Sequence, residues 1–136
     1  MSNTQRITIA AALLIDNHQN ILLVRKRNSA FFMQPGGKID QDETPEEALI
    51  RELKEELQLV VTKEELIPMG CFQDMAANEA HHQLTAYMYR IHRKSFAPIP
   101  AAEIEEAVWL SQEECRHVTL APLTEYQLLP LAWPSE

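Results

Sequence analysis

The chain has 136 residues, the length of one ordinary domain, and a domain of this size buries roughly two-thirds of its unfolded surface. Hydrophobic residues make up 46% of the sequence and charged residues 24%, which excludes disordered, collagen-like and low-complexity chains. The formal net charge of −8 argues against the strongly basic surface with which proteins bind a long nucleic acid. Small phosphate compounds stay possible partners, because divalent cations held by carboxylates would reverse the local charge.

The first half of the chain is predicted to form a β-hairpin, a loop and a helix. Two β-rich runs, residues 7–16 and 21–27, are separated by an Asn- and His-rich turn, which indicates a hairpin. Residues 28–42 lack helical periodicity and contain adjacent glycines, so they are predicted to form a loop. The sequence Thr44-Pro45-Glu46-Glu47 predicts a helix start, because it matches a capping box with proline at the first helical position.

The second half is predicted to contain strands followed by short helices. Three β-leaning runs lie at residues 66–74, 83–92 and 107–110. Ser111 is expected to cap a short helix, and residues 122–129 are expected to form a last helix that ends at Pro130. Since no repeat or linker interrupts this order, we expect one mixed α/β domain spanning residues 1–136.

Cysteine usage and hydropathy bear on the location of the protein. Cys71 and Cys115 offer neither a zinc-ligand spacing nor a disulfide framework, which fits a reducing, cytoplasmic location. The apolar run at residues 7–15 leads directly into a polar turn, so we interpret it as a strand. No run approaches the ~20 apolar residues of a membrane-spanning helix. We therefore expect no membrane and no nucleic-acid polymer as partners, and either a monomer or a homodimer.

The helix after Thr44 concentrates the charged side chains. At about 100° per residue, its apolar side chains fall on one stripe that is expected to be buried: Leu49, Ile50, Leu53 and Leu57. The opposite arc carries three carboxylates: Glu52, Glu55 and Glu56. Like charges four residues apart repel, so Glu52 and Glu56 favour a bound cation, and oxygen-only ligands suit Mg²⁺ or Mn²⁺. The alternative is an ordinary solvated face partnered by Arg51 and Lys54.

The segment from Gly37 to Leu59 resembles the Nudix box of the MutT-like pyrophosphohydrolases, G-x5-E-x7-R-E-U-x-E-E-x-G-U, where U is aliphatic. Seven of the eight positions specified after the first glycine match over 23 residues. The preceding Gln34-Pro35-Gly36-Gly37 is similar to the family's proline-glycine-glycine entry. The one departure is Gln58, which replaces a glycine expected to end the helix in a left-handed conformation. We expect this departure to affect stability, at ~1 kcal/mol, more than chemistry.

The resemblance implies an α/β/α sandwich with a mixed β-sheet. It also implies hydrolysis of a nucleoside diphosphate linked to another group, with Mg²⁺ or Mn²⁺ as cofactor and a small nucleotide as substrate. By position, it implies a metal site that Arg51 and Glu43 orient: Glu52, Glu55, Glu56 and the backbone of Gly37. The candidate substrate-binding residues are Arg25, Gly36, Gly37 and Lys38. An alternative of another class is an inactive nucleotide-binding module.

A general base in this family comes from the box or from a loop before a late strand. Glu103, Glu105 and Glu106 qualify by position, and we prefer Glu103 because it begins an acidic stretch that ends in Trp109. The alternative is that all three are solvated loop charges. A second polar group, Glu79, His81 and His82, is interpreted as solvent-facing.

The substrate is argued by elimination among relatives of this family. The downstream proline that marks ADP-ribose hydrolases is absent, with Met75 near that position, and the tyrosine of dinucleoside polyphosphate hydrolases is missing. We therefore expect a (d)NTP pyrophosphatase, with ADP-ribose or another nucleotide sugar as the alternative. Arg25 and the basic residues after it either meet phosphates or protect an edge strand. Five aromatic side chains are candidates for stacking on a base, although strand aromatics more often lie in a core: Phe31, Phe32, Phe72, Tyr87 and Trp109.

Overall fold

The structure, a computed structural model, describes residues 5–77 and 82–133. The strands in this part of the chain are β1 (Gln5–Ile15), β2 (Ile21–Lys26), β3 (Phe32–Met33), β4 (Gly36–Lys38), β5 (Ile67–Met75), β6 (His82–His92) and β7 (Ile104–Leu110). The α-helices are α1 (Pro45–Leu57), α2 (Gln112–Cys115) and α3 (Leu129–Ala132). A 3₁₀ turn covers Lys63–Glu65, and a π-helix covers Leu123–Leu128. None of the helices in these two ranges is long and apolar enough to cross a bilayer.

The strands form one mixed sheet in which β1 is central. β1 runs parallel to β6 over its whole length and antiparallel to β4 and β2. On the far side β5 pairs with β6, while β2 also pairs with β3 and β7. The predicted hairpin between β1 and β2 is confirmed. Its turn is closed by the Asp16 carboxylate, which accepts the N–H groups of His18 at 2.8 Å and Asn20 at 2.9 Å.

Helices cover both faces of the sheet. Alternate residues of β1 point to opposite faces, so Leu14 packs in the core beneath α1 while Leu13 packs in a second core. The second core also contains Cys115 of α2 and Leu123 and Leu128 of the π-helix. Burial on both faces explains why β1 is an almost continuous apolar run. The expected mixed α/β fold is thereby confirmed.

Two predictions about local structure are wrong. Residues 28–42 are not all loop, because β3 and β4 lie within them and pair with β2 and β1 through contacts that no local pattern reveals. The last helix does not end at Pro130. The π-helix continues into α3, and Pro130 occupies the first turn of α3, where a missing N–H costs little.

Both ends of α1 follow local sequence rules. At its start the Thr44 Oγ1 atom accepts the Glu47 N–H at 3.1 Å, and the Glu47 carboxylate accepts the Thr44 N–H at 2.9 Å, which confirms the capping box. At its end Gln58 has φ 54° and ψ 32° and donates its N–H to the Lys54 carbonyl at 3.0 Å. The helix therefore keeps a left-handed end although the residue there is not glycine.

Candidate active site

Arg51 gathers the charged residues on one side of α1. Its guanidinium binds the Glu43 carboxylate through two bonds of 2.7 and 2.9 Å, and it donates to Glu52 at 2.7 Å and to the Lys38 carbonyl at 3.1 Å. Hydrogen bonds from Arg51, followed by the Asp40 N–H, lower the pKa of Glu43 to about 2. Arg51 thereby links the loop before α1 to the Glu52 side chain.

Glu52 lies directly against the backbone of Gly37. A β-carbon on Gly37 would lie 2.4 Å from the Glu52 carboxyl carbon and within 2.7 Å of both its oxygens. Since real β-carbons essentially never approach other atoms below 3.0 Å, only glycine fits at position 37 with Glu52 in this place. The Glu52 carboxylate therefore occupies the space that a side chain at position 37 would need.

Glu56 is a buried carboxylate, with a relative exposure of 3%. Among the described residues, its side-chain hydrogen-bond partner is the Gly36 N–H, at 3.1 Å. Burial raises the pKa of Glu56 to about 8, and the neighbouring charges of Glu52 and Glu103 add to this rise, against the opposing effects of the Gly36 N–H and Lys26. The solvated-face alternative is therefore wrong for Glu56, because β4 and the preceding loop cover this arc of α1.

The three box carboxylates do not all face the same partner. Glu52 is turned toward Arg51, Glu56 toward Gly36, and the more exposed Glu55 lies 3.5 Å from Arg51. Within residues 5–77 and 82–133, no three His, Cys, Asp or Glu side chains are placed so that they could hold a metal ion. The donor set still fits a hard divalent cation, since a cation would offset the cost of the buried Glu56 charge. The ligand set Glu52, Glu55, Glu56 and Gly37 stays a prediction.

A cavity of about 430 Å³ opens beside Glu56. Its charged lining includes Lys26, Arg27, Lys38, Glu56 and Glu103, beside Gly36 and Gly37. Its apolar part includes side chains from β1, β3, β6 and the π-helix: Ile7, Ile9, Met33, Leu84 and Leu123. The cavity therefore joins a charged region to an apolar region, which is the form of a small-molecule pocket.

Glu103 is the member of the acidic loop that reaches this cavity. Its carbonyl accepts the Arg27 N–H at 2.9 Å, its carboxylate lies 3.4 Å from the Lys26 ammonium, and the nearby Ala101 N–H binds the Glu56 carbonyl at 2.8 Å. Glu105 and Glu106 instead lie beside Arg27 and Arg25. The loop contacts thus place Glu103 close to Glu56.

Arg25 is engaged away from the cavity. Its guanidinium donates to Glu106 at 2.6 and 2.9 Å and to the Ser29 carbonyl at 2.9 Å. Lys26, the next residue of β2, lines the cavity in its place. Because β2 pairs with β3 on one side and β7 on the other, the alternative that these basic residues protect an edge strand is wrong.

The described cavity lining contains none of the five aromatic candidates for stacking. Trp109 packs edge-on against Phe96, with ring centroids 5.4 Å apart, and donates to the Phe96 carbonyl at 2.8 Å. Phe32 and Phe72 pack against the second core. Glu79 and His81 lie outside the described residues, whereas His82 belongs to β6.

Three polar residues to which the sequence assigns no functional role, Asn28, Ser29 and Gln34, line the cavity. Gln34 directly precedes the Pro-Gly-Gly segment, and this position is the one feature of the sequence that could have indicated its place in the cavity. Nothing in the local pattern around Asn28 indicated a role in a pocket.

Comparison with known proteins identifies the family. A family model described as the NUDIX domain matches residues 4–132. The chain belongs to the Nudix family. Members of this family generally use divalent metal ions.

Curated Nudix relatives differ in their substrates. The chain is 37% identical over 67 residues to the 8-oxo-dGTP diphosphatase of Proteus vulgaris, in a match that covers 46% of this chain and 60% of that protein. It is 40% identical over 55 residues to the ADP-ribose pyrophosphatase of Methanocaldococcus jannaschii, covering 38% of this chain and 32% of the relative. The matched region thus spans less than two-thirds of the length of either relative.

Solved Nudix structures share the fold over most of the chain. The NUDIX domain of Shewanella oneidensis NrtR, complexed with ADP ribose, has a TM-score of 0.76 at 22% identity and covers 95% of this chain and 87% of its own. The bifunctional NMN adenylyltransferase/ADP ribose pyrophosphatase of Francisella tularensis, complexed with AMP and a manganese ion, has a TM-score of 0.70 at 21% identity, covering 96% and 42%. These similarities confirm the predicted fold class.

Proposed function

We propose that this protein is a divalent-metal-dependent pyrophosphohydrolase that converts nucleoside triphosphates, ribo or deoxyribo, to monophosphate and pyrophosphate. The observation that carries the proposal is the buried Glu56 carboxylate beside the cavity, held by one Gly36 N–H. A carboxylate in this position gains most from a bound cation, and a cation there would face any phosphate in the cavity. The 8-oxo-dGTP diphosphatase relative supports the substrate class.

The chain's own residues divide the work of the proposed reaction. Glu52, Glu55 and Glu56 with the Gly37 backbone would hold Mg²⁺ or Mn²⁺, while Arg51 and Glu43 keep Glu52 in place. Such an ion supplies charge neutralisation on the phosphates and a lowered pKa of bound water.

Residues around the cavity would complete the chemistry. Glu103 accepts a proton from the water that attacks phosphorus. The phosphoanhydride bond between the α- and β-phosphates breaks, which gives monophosphate and pyrophosphate. The ammonium groups of Lys26 and Lys38 contact the phosphates as point charges. Glu103 suits the base role better than Glu105 or Glu106, because it alone of the three lines the cavity.

A substrate panel with product identification tests the proposal. Purified protein at one Mg²⁺ concentration is assayed with unmodified and oxidised dNTPs, ADP-ribose, dinucleoside polyphosphates, NADH and coenzyme A. We expect triphosphates to lead, with monophosphate and pyrophosphate as products, and EDTA to abolish turnover. Turnover that persists without metal contradicts the mechanism.

The panel also separates the two alternatives. The ADP-ribose alternative, which the Methanocaldococcus relative supports, predicts a kcat/KM for ADP-ribose at least ten-fold above every triphosphate, equivalent to about 1.4 kcal/mol of differential transition-state stabilisation. The binding-module alternative predicts nucleotide binding in calorimetry with no product at any metal concentration.

A further inference from the structure

Gln34 is a buried amide in the wall of the cavity. Its relative exposure is 7%, and it lies between β3 and β4, two residues before the Gly36 N–H that binds Glu56. Its side chain is bonded to Thr124 of the π-helix, with 2.5 Å between Thr124 Oγ1 and Gln34 Oε1. Thr124 is itself only 1% exposed. The two residues form a polar pair between the sheet and the last helical segment.

The amide oxygen of Gln34 is the end that faces Thr124, because the Thr124 hydroxyl donates to Gln34 Oε1. The distance is in the range of O–H···O bonds, about 2.5–3.0 Å. The amide nitrogen then points away from Thr124. Among the described residues, the amide nitrogen has no side-chain hydrogen-bond partner. It also does not belong to the described buried atoms that lack both a partner and solvent contact. The nitrogen is therefore not sealed off from solvent, and Gln34 lines the cavity.

The backbone around Gln34 is anchored, so the amide keeps its place. The Pro35 carbonyl accepts the Ala12 N–H of β1 at 2.9 Å, and the Phe32 carbonyl accepts the Ala121 N–H at 2.9 Å. These bonds attach the Gln34 segment to the central strand on one side and to the chain that leads into Thr124 on the other. A donor held in this way recognises a ligand atom without an ordering cost at the time of binding.

We propose that Gln34 is a specificity-determining residue whose amide nitrogen donates to an exocyclic carbonyl oxygen of the nucleobase. Because the amide nitrogen is a donor only, it favours bases with a carbonyl group and disfavours adenine, which presents an amino group in the corresponding position. This inference rests on the proposed function, since it places a nucleotide in the cavity. It names the substrate class more narrowly, as triphosphates of carbonyl-bearing bases.

The decisive comparison is ITP against ATP, which differ in the carbonyl or amino group at purine position 6. We expect the wild-type protein to hydrolyse ITP with a kcat/KM about ten-fold above that for ATP, the discrimination that one hydrogen bond supplies. In Gln34→Met, which keeps the side-chain length without the amide, the ratio should fall to about one. An unchanged ratio in this variant overturns the proposal, because a merely structural role would lower kcat/KM for both substrates by the same factor.

Substitutions at Thr124 provide a second test that leaves the amide in place. Thr124→Val keeps the shape and removes the hydroxyl that orients Gln34, so the ITP/ATP ratio should fall several-fold. Thr124→Ser restores a hydroxyl and should recover the ratio. If the ratio follows neither substitution, the orientation argument is wrong.

Equilibrium binding separates failure of this inference from failure of the proposed function. Calorimetry with IMP and AMP requires no turnover, and we expect IMP to bind about ten-fold tighter to wild type and equally to Gln34→Met. Absence of hydrolysis with this preference intact would overturn the proposed function and support the role of Gln34. Hydrolysis of both triphosphates with equal kcat/KM and equal binding of the monophosphates would overturn the inference alone.

Discussion

Glu52 and Glu56 lie one helical turn apart on α1 yet occupy different environments. Glu52 accepts from a guanidinium at 2.7 Å, whereas Glu56 accepts from one backbone N–H and is almost completely buried. A buried charge without a charged partner is costly, so Glu56 is the residue whose properties should change most when a cation binds. Single substitutions at and around these carboxylates therefore report on the site directly.

Replacement of Glu56 by Gln should reduce kcat by about 100-fold or more while leaving the fold intact. The amide retains an oxygen for the Gly36 N–H and is neutral, like the protonated acid that burial favours, so the melting temperature in EDTA should stay level or rise. The exposed Glu113→Gln on α2, outside the cavity, is the matched control and should retain activity. Full activity of Glu56→Gln would contradict the proposed metal site.

Gly37→Ala should also inactivate the protein, by a steric route. The added methyl group would lie 2.4 Å from the Glu52 carboxyl carbon, and a displacement of about 1 Å in a site can cost 100-fold in rate. Gly70→Ala is the control, since Gly70 has φ +110° with no atom near its missing β-carbon. We expect Gly70→Ala to lose about 1–3 kcal/mol of unfolding free energy through backbone strain and to keep its kcat. Equal kcat in both variants would show that Glu52 is free to move aside.

At the scale of elements, α1 combines a favourable start with a strained end. The capping box satisfies free N–H groups at the start, but Gln58 holds a left-handed conformation that disfavours side chains with a β-carbon. Gln58→Gly should therefore raise the unfolding free energy by up to about 1 kcal/mol in urea denaturation. Gln58→Ala removes the same side chain but keeps the strain, so it should not stabilise. Destabilisation by glycine would show that the Gln58 side chain contributes contacts at the helix end.

The parts of the fold that were predictable from sequence are those with local causes. Thr44 and Glu47 specify a helix start through atoms three residues apart, and the turn closed by Asp16 lies between two β-rich runs. By contrast, β3 and β4 have two and three residues and exist because β2 and β1 pair with them. Such pairing depends on the whole sheet, so no local pattern indicates it.

The candidate site divides in the same way. The box pattern identified the carboxylates of α1, and position before a late strand selected Glu103, which lines the cavity. The burial of Glu56 was not predictable, because it depends on β4 covering that arc of the helix. The position of Gln34 was not predictable, because its partner, Thr124, is distant in sequence and meets it only in the folded protein.

At the scale of the whole molecule, the parallel pair of β1 and β6 is tied to the connection after α1 by Arg93. The Arg93 N–H donates to the Ile15 carbonyl at the end of β1, and its guanidinium donates to the Val60 carbonyl at 2.7 Å. It also binds the Glu65 carboxylate through two bonds of 2.7 and 2.9 Å. One residue therefore joins the central strand pair, the 3₁₀ turn and the segment that leads to β5.

This ion pair should make the stability of the fold depend on pH in the acid range. Hydrogen bonds from Arg93 are the main cause that lowers the pKa of Glu65 from 4.5 to about 2 in the folded protein. The pKa of Glu65 is lower in the folded protein than in the unfolded chain. The ion pair therefore adds to the free energy of unfolding above the unfolded pKa, and this contribution is lost as pH falls toward the folded pKa. Partial exposure and solvent screening limit this contribution to about 1 kcal/mol.

We expect Glu65→Gln to lower the unfolding free energy by this amount at neutral pH, and the difference from wild type to vanish between about pH 5 and pH 2. Urea denaturation of both proteins across this range measures the difference, with Glu64→Gln as control. A gap that stays constant with pH would mean that Glu65 acts through packing, independently of its charge.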